Sequence, residues 1–317
     1  MKQKIALSLF ALGMAFYAQA ERIEPVPYGD FEQWAVRYIY ESGIIGGATR
    51  TIYAIAPTDT ISGNIPFKYK ESGSPWSVSN AYARVSGIDK CSGTTTPERR
   101  GNGYCCRMDV KLEEVVVLGF INLKVLITGT AFLGQTIEPI RSANDPYSNV
   151  DYGIPFTERP AYLMFDYKSV ISTDSVLTIA KGQARPKNVK GTDKAEVVLL
   201  LQKRWEDNDG NIYATRVGTV RERFSETQQE WQNGYRTKVH YGNITDKPYY
   251  RNYMGLNQPY RTMNSKGKIV PIQEIGWADS NEMPTHAIMI FSAGYHEAFV
   301  GGNGNVFWID NVSFVYE

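Results

Sequence analysis

Val306-Phe307-Trp308-Ile309-Asp310-Asn311-Val312-Ser313-Phe314-Val315-Tyr316 closes the chain, and Gly29-Asp30-Phe31-Glu32-Gln33-Trp34 stands near its beginning. The first is an aromatic and β-branched run with the length and composition of a strand. The second reads as strand-like too, and each carries a carboxylate. A first and a last strand of this kind predict a β-sandwich in which the two ends of the chain pair.

The pattern stays β between these ends. Residues 51–56, 104–112, 161–167, 196–202, 212–220 and 286–291 are rich in β-branched, aromatic and apolar side chains, and Gly, Pro, Asn and Asp fill the gaps. Val197-Val198-Leu199-Leu200-Leu201 and Ala287-Ile288-Met289-Ile290-Phe291 are apolar at every position. Neither can present a wet face, so both are expected as central strands covered on both sides. Asp207-Asn208-Asp209-Gly210-Asn211 follows the first run and predicts a hairpin, because Asp-Gly supports the positive φ angles of tight turns. Residues 115–127, interrupted by Gly119, Asn122 and Lys124, read as two core strands. One short helix is expected over 226–233, with Ser225 and Gln228 spaced as a capping box and Gly234 as its stop.

Residues 1–20 read as an export leader. Lys2 and Lys4 precede an apolar run, and Ala18-Gln19-Ala20 has the form of a signal peptidase site. The run is too short for a permanent membrane span. No cysteine precedes Cys91, so a lipoprotein is not expected, and the mature chain should carry no transmembrane segment. The chain has 34 basic and 33 acidic residues; with Lys2 and Lys4 in the leader, the rest lies within about one charge of neutrality. No electrostatic footprint for nucleic acid is present. No repeat and no linker of biased composition divides residues 21–317, which read as one domain. Many strands with long connections favour an all-β, double-sheet β-jelly-roll sandwich with at most one or two short helices.

The three cysteines leave at least one unpaired. The loop after Cys91 can fold back to bring Cys91 to either Cys105 or Cys106, but neighbours on a strand point to opposite faces, so only one can bond. Three free thiols are the alternative. An adjacent Cys-Cys pair without a nearby histidine is a poor metal site.

Several stretches, in order, resemble a known family: Phe31-Glu32-x-Trp34, Tyr104-Cys-Cys-Arg-Met-Asp109, Gly129-Thr-Ala-Phe-Leu-Gly134, Tyr152-Gly-Ile-Pro-Phe156 and Arg159-Pro-Ala-Tyr-Leu-Met-Phe-Asp-Tyr-Lys168. Pro284-Thr-His-Ala-Ile-Met-Ile-Phe-Ser292, Gly301-Gly302-x-Gly304 and Trp308-Ile-Asp-Asn-Val312 continue the series. Together they resemble the Bacteroidetes family named "putative carbohydrate metabolism domain". The resemblance implies a β-jelly-roll shaped like carbohydrate-binding modules, exported by bacteria that harvest glycans. Members are often labelled glycoside hydrolases, but no established catalytic pair maps onto this chain. The chain departs from the family at Ser292-Ala-Gly-Tyr-His-Glu297 and in a longer loop over 87–103. Modules of this shape often hold a structural calcium where first and last strands meet, and Glu32 and Asp310 are the matching positions.

Sugar binding uses aromatic faces, with amides and carboxylates for the hydroxyls. Among 21 tyrosines, the densest polar-aromatic stretch is Tyr249-Tyr250-Arg251-Asn252-Tyr253 through Asn257-Gln258-Pro259-Tyr260-Arg261, a candidate glycan platform in a loop. Trp76 is a second candidate loop aromatic, whereas Trp34 and Trp308 are expected in the core. For hydrolysis, a pair of carboxylates must flank the bond. Asp166 and Glu274 are the acids best embedded among apolar neighbours, but no pattern selects a pair. His240, His286 and His296 lack a ligand spacing, and Gly-x-Ser-x-Gly and phosphate-loop signatures are absent. The expected function is an exported protein that binds oligosaccharide or polysaccharide as a non-catalytic accessory to glycan use. A glycoside hydrolase is the alternative, and a structural or adhesive surface protein is the third reading.

Overall fold

The computed structural model describes residues 20–117, 121–142, 145–182, 184–256 and 258–317. The expected leader, apart from Ala20, and Asn257 lie outside them. Two large sheets face each other. In the first, the order is Lys181–Gly182, Ile121–Thr128, Gly103–Val117, Val306–Tyr316, Tyr162–Val170, Gln228–Lys238, with Arg22–Pro25 also on Val306–Tyr316 and Thr95–Arg100 on Gly103–Val117. In the second, the order is Val150–Tyr152, Thr130–Thr136, His286–Ser292, Ala195–Glu206, Ile212–Phe224, Ile269–Trp277, Arg261–Met263. The expectation of an all-β sandwich of jelly-roll type is met.

The two wholly apolar runs lie side by side at the centre of the second sheet, with Leu199 opposite Met289. Side chains alternate across a strand. Val197, Leu199, Leu201, Ala287, Met289 and Phe291 therefore enter the core between the sheets, together with Leu163, Phe165, Phe307 and Ile309 of the first sheet. Phe165 and Phe291 meet edge to face across the sandwich, at 5.1 Å between ring centres. Val198, Leu200, Ile288 and Ile290 point the other way, into a second cluster with Phe132, Tyr152, Ile212, Ala214 and Ile272. Both faces are covered, as the unbroken runs require. The hairpin forms as expected: the Asp207 carboxylate accepts from the amides of Asp209 and Asn211 at 3.0 and 2.8 Å, and Gly210 takes φ 88°.

The ends of the chain do pair, but through Arg22–Pro25, whose residues face Ser313–Tyr316. The Gly29–Trp34 stretch is a turn instead. Phe31 has φ 48°, and only from Trp34 does the chain become a strand, Trp34–Tyr40, in a separate three-stranded sheet with Thr49–Ile55 and Asp59–Ser62. The turn is locked to the last strand by Val312 N donating to the Gly29 carbonyl and Val26 N to the Val312 carbonyl, each at 2.9 Å. A Cβ on Gly29 would lie 2.8 Å from one carbonyl oxygen and 3.0 Å from another, so only glycine fits.

The helix expected over 226–233 is a strand, Gln228–Lys238, paired with Tyr162–Val170. Eight residues, about two turns, are too few for a helix to stabilise itself. Pairing satisfies the backbone groups of the neighbouring strand and places Tyr235 among Phe165, Tyr167 and Phe224, at 5.1–5.8 Å between ring centres. Gly234, with φ 63°, sits in the bulged part of the strand. Among the described residues the helical segments are 3-10 turns: Gly43–Ile45, Tyr69–Glu71, Pro146–Asn149 and Asn252–Met254.

The disulfide from Cys91 to Cys105 or Cys106 is not formed, and all three thiols are free and buried. Cys91 packs with Ile39, Ile52 and Tyr82 against the Trp34–Tyr40 sheet, Cys105 with Val306 and Trp308, and Cys106 in the main core. Three separate apolar surroundings keep the sulfurs apart. Burial pushes the Cys91 and Cys105 thiols up to about 12 and Cys106 well above its ordinary value, so none is a reactive thiolate at neutral pH.

Candidate functional site

The outer face of the second sheet carries two cross-strand rows. Phe132 stands opposite Ile290, which stands opposite Val198, which stands opposite Arg221. One step along the strands, Thr130, Ser292, Glu196 and Arg223 follow in the same order. The first row is mostly apolar and the second polar, and both share one face because they are two residues apart. All of them except Arg223, which stands at the border, form the floor of a cleft of about 670 Å³. Its walls include Tyr147, Tyr152, Tyr260 and Tyr295.

The rings support one another. Tyr152 lies between Phe132 and Tyr260, at 5.1 and 5.2 Å. Burial pushes the Tyr260 hydroxyl up to about 12 and raises those of Tyr147 and Tyr152, so the wall offers neutral phenols that can both donate and accept. Asp193 holds the fourth wall in place. Its carboxylate accepts from the amides of Tyr295 at 3.1 Å and Gly302 at 2.8 Å, while His296 Nε2 lies 2.9 Å from the Thr192 carbonyl.

Glu196 is the carboxylate of the floor, and two arginines hold it. Arg221 donates to both of its oxygens at 3.0 Å, and Arg223 Nε donates at 2.6 Å. Arg221 also donates to the Tyr253 carbonyl at 2.6 Å and to the Gln258 side chain. Arg223 is stacked between Tyr253 and Tyr295, its guanidinium carbon 4.0 and 3.8 Å from the two ring centres. Such contacts stabilise a cation by about 0.5–1 kcal/mol each where partly exposed.

The expected glycan platform is thus divided. Tyr260 lines the cleft and Tyr253 borders it through the arginines, but Tyr249 stacks on His240 at 3.9 Å. Tyr250 and Asn252 lie in the loop around the 3-10 turn, outside the lining residues, and Arg261 is paired with Asp145 at 2.9 Å. Trp76 is not a loop aromatic. It is 0 % exposed in the strand Trp76–Val78, packed on Phe31 and Phe291, with its indole donating to the Pro27 carbonyl at 2.9 Å. Pairing with Thr130–Thr136 turns its side chain into the core. Sequence reading passed over Phe132, Tyr147, Tyr152, Glu196, Arg221, Arg223 and Tyr295, which come from segments far apart in the chain. It also passed over Trp205, 42 % exposed and stacked on Tyr213 at 6.0 Å near the hairpin, a second aromatic surface.

Glu32 and Asp310 have different partners. Glu32 accepts from the Tyr104 amide at 3.2 Å, whereas Asp310 accepts from Arg100 at 2.6 Å. The same arginine reaches Asp166 at 2.8 Å and Asn233 at 2.6 Å and lies over Trp231. Arg100 already occupies Asp310 and Asp166, and Glu32 is turned to the Tyr104 amide, so the residues present do not fit a calcium cage there. Among the described residues no group of three or more His, Cys, Asp or Glu is placed to hold a metal. The other embedded acid, Glu274, is ion-paired to Arg216 and accepts from Gln202 at 2.7 Å. Neither Asp166 nor Glu274 lines the cleft.

No family model matches the chain, and no curated protein matches it. Among solved structures it is similar to one described as a putative glycoside hydrolase from Bacteroides thetaiotaomicron, with 15 % identity and a TM-score of 0.46. The match covers 89 % of this chain and 71 % of that one. No residue role is carried over from it. Among the described residues no helix is long and apolar enough to cross a membrane.

Proposed function

We propose that this protein binds carbohydrate in the cleft on the outer face of the second sheet, as an exported, non-catalytic accessory to glycan use. One observation carries the reading: four tyrosines stand around a floor that carries Phe132 beside a polar row of Thr130, Ser292 and Glu196, with the guanidinium of Arg223 at its border. That combination suits a pyranose, which has an apolar C–H face and a rim of hydroxyls. The volume of about 670 Å³ falls within the range of small-ligand sites. Binding is favoured over hydrolysis because both oxygens of Glu196 are committed to arginine. The leader-like residues 1–20 support export, and the ordered motifs that resemble those of the carbohydrate metabolism family support the ligand class.

The test is to incubate the mature protein with an array of plant, host and microbial polysaccharides, reading retention and released reducing ends together. Retention without release is expected. Release would make the protein a glycoside hydrolase, and silence in both channels would favour a structural or adhesive role.

A further inference from the structure

Arg223, at the border of the cleft, differs from Glu196 and Arg221 on its floor in having donors to spare. Its Nε is used by Glu196, but among the described residues nothing meets its two terminal nitrogens. Arg221, beside it, has every nitrogen partnered, by Glu196, the Tyr253 carbonyl and Gln258. Two guanidinium groups on one carboxylate also leave one positive charge uncompensated within that cluster. Of the nearby acids, Asp193 is turned to the amides of Lys194, Tyr295 and Gly302, and Glu297 is exposed and faces Tyr147.

The two rings matter as much as the charge. Held between Tyr253 and Tyr295, the guanidinium is restrained, and an ordered arginine loses little entropy when it gains a ligand. Its faces are covered, so only its edge is available. The edge is a planar fork of parallel N–H groups, which matches a carboxylate in bidentate geometry. Glu196 and Tyr295, which both touch Arg223, are lining residues of the cleft, so the fork stands at its border.

We infer that the glycan bound here is acidic, and that the fork of Arg223 recognises the carboxylate of a uronate or sialate residue while the tyrosines hold the sugar rings. This rests on the carbohydrate-binding reading and narrows it to a ligand class.

The experiment compares matched probes at physiological ionic strength: polygalacturonate against its carboxyl-reduced form, and a sialylated glycan against its desialylated form, with neutral polysaccharides and a sulfated glycan alongside. Each is titrated against wild type, Arg223→Gln and Arg223→Lys, with melting temperatures as the control for folding. One of the two acidic probes is expected to bind, identifying uronate or sialate as the source, and to weaken about tenfold or more on removal of its carboxylate or on Arg223→Gln. Arg223→Lys keeps the charge next to Glu196 but loses the fork, so it should recover only part of the binding. Equal binding of acidic and carboxyl-free probes would overturn carboxylate recognition and leave carbohydrate binding standing. Binding of the sulfated glycan alone, or acidic binding that survives in both folded variants, would overturn it in the same way. No binding to any probe would remove both readings.

Discussion

Asp166 and Asp310 share a single guanidinium nitrogen, Arg100 Nη1 lying 2.8 Å from one and 2.6 Å from the other. Both carboxylates are buried, so two acids are set against one cation. Burial, reinforced by the charge of Asp166, pushes the Asp310 carboxyl up to about 6 despite the opposing pull of Arg100.

A pH dependence follows. Between about pH 4 and 6 the native state keeps a proton on Asp310 that the unfolded chain has released, so this group makes stability fall as pH rises through that window. Above it the full penalty applies, on the order of 3 kcal/mol for a two-unit shift. Asp310→Asn removes the titration while Arg100 keeps Asp166. Urea unfolding from pH 4 to 7 should show the variant gaining on wild type as pH rises; parallel curves would contradict the shared-cation account.

The same pair predicts the response to calcium. With Arg100 holding Asp310 and Asp166 and Glu32 turned to the Tyr104 amide, the melting temperature is expected to be equal in calcium and in excess chelator, and Asp310→Ala or Glu32→Ala should cost the same in both. A rise of several degrees with calcium, lost in Asp310→Ala, would restore a calcium site at these positions.

Trp76 makes a prediction of a different kind. Its indole is packed between Phe31 and Phe291, so Trp76→Ala should destabilise the fold by about 3–5 kcal/mol. Denaturant titration measures this. A folded variant of unchanged stability with altered glycan binding would contradict its place in the core.

Much of the architecture was legible because burial on both faces leaves a one-dimensional trace. The runs 197–201 and 287–291 had to be central strands, and the Asp-Gly turn after the first had to reverse the chain. Residues 226–233 misled because local capping signals took no account of the unpaired edge of Tyr162–Val170, and tertiary pairing overrides so short a helix. The cleft was mostly illegible for another reason. Its floor draws one or two residues from each of four strands, and cross-strand register places Phe132 beside Ile290 and Glu196 beside Arg223 with no sequence proximity. Tyr260 was found because it belongs to a tyrosine-dense loop. Tyr295 stood in a stretch that departs from the resembled family, and its role emerges only from its contact with Arg223.

Tyr260 offers the most direct test of carbohydrate binding in this cleft. Its ring forms part of the wall and rests on Tyr152, while Trp205 lies on the separate aromatic surface near the hairpin. Affinity electrophoresis against the polysaccharide retained by wild type should show Tyr260→Ala weakened about tenfold or more, with Trp205→Ala unchanged and circular dichroism confirming that both variants are folded. Full retention by folded Tyr260→Ala, or loss confined to Trp205→Ala, would contradict the assignment of the cleft as the binding site.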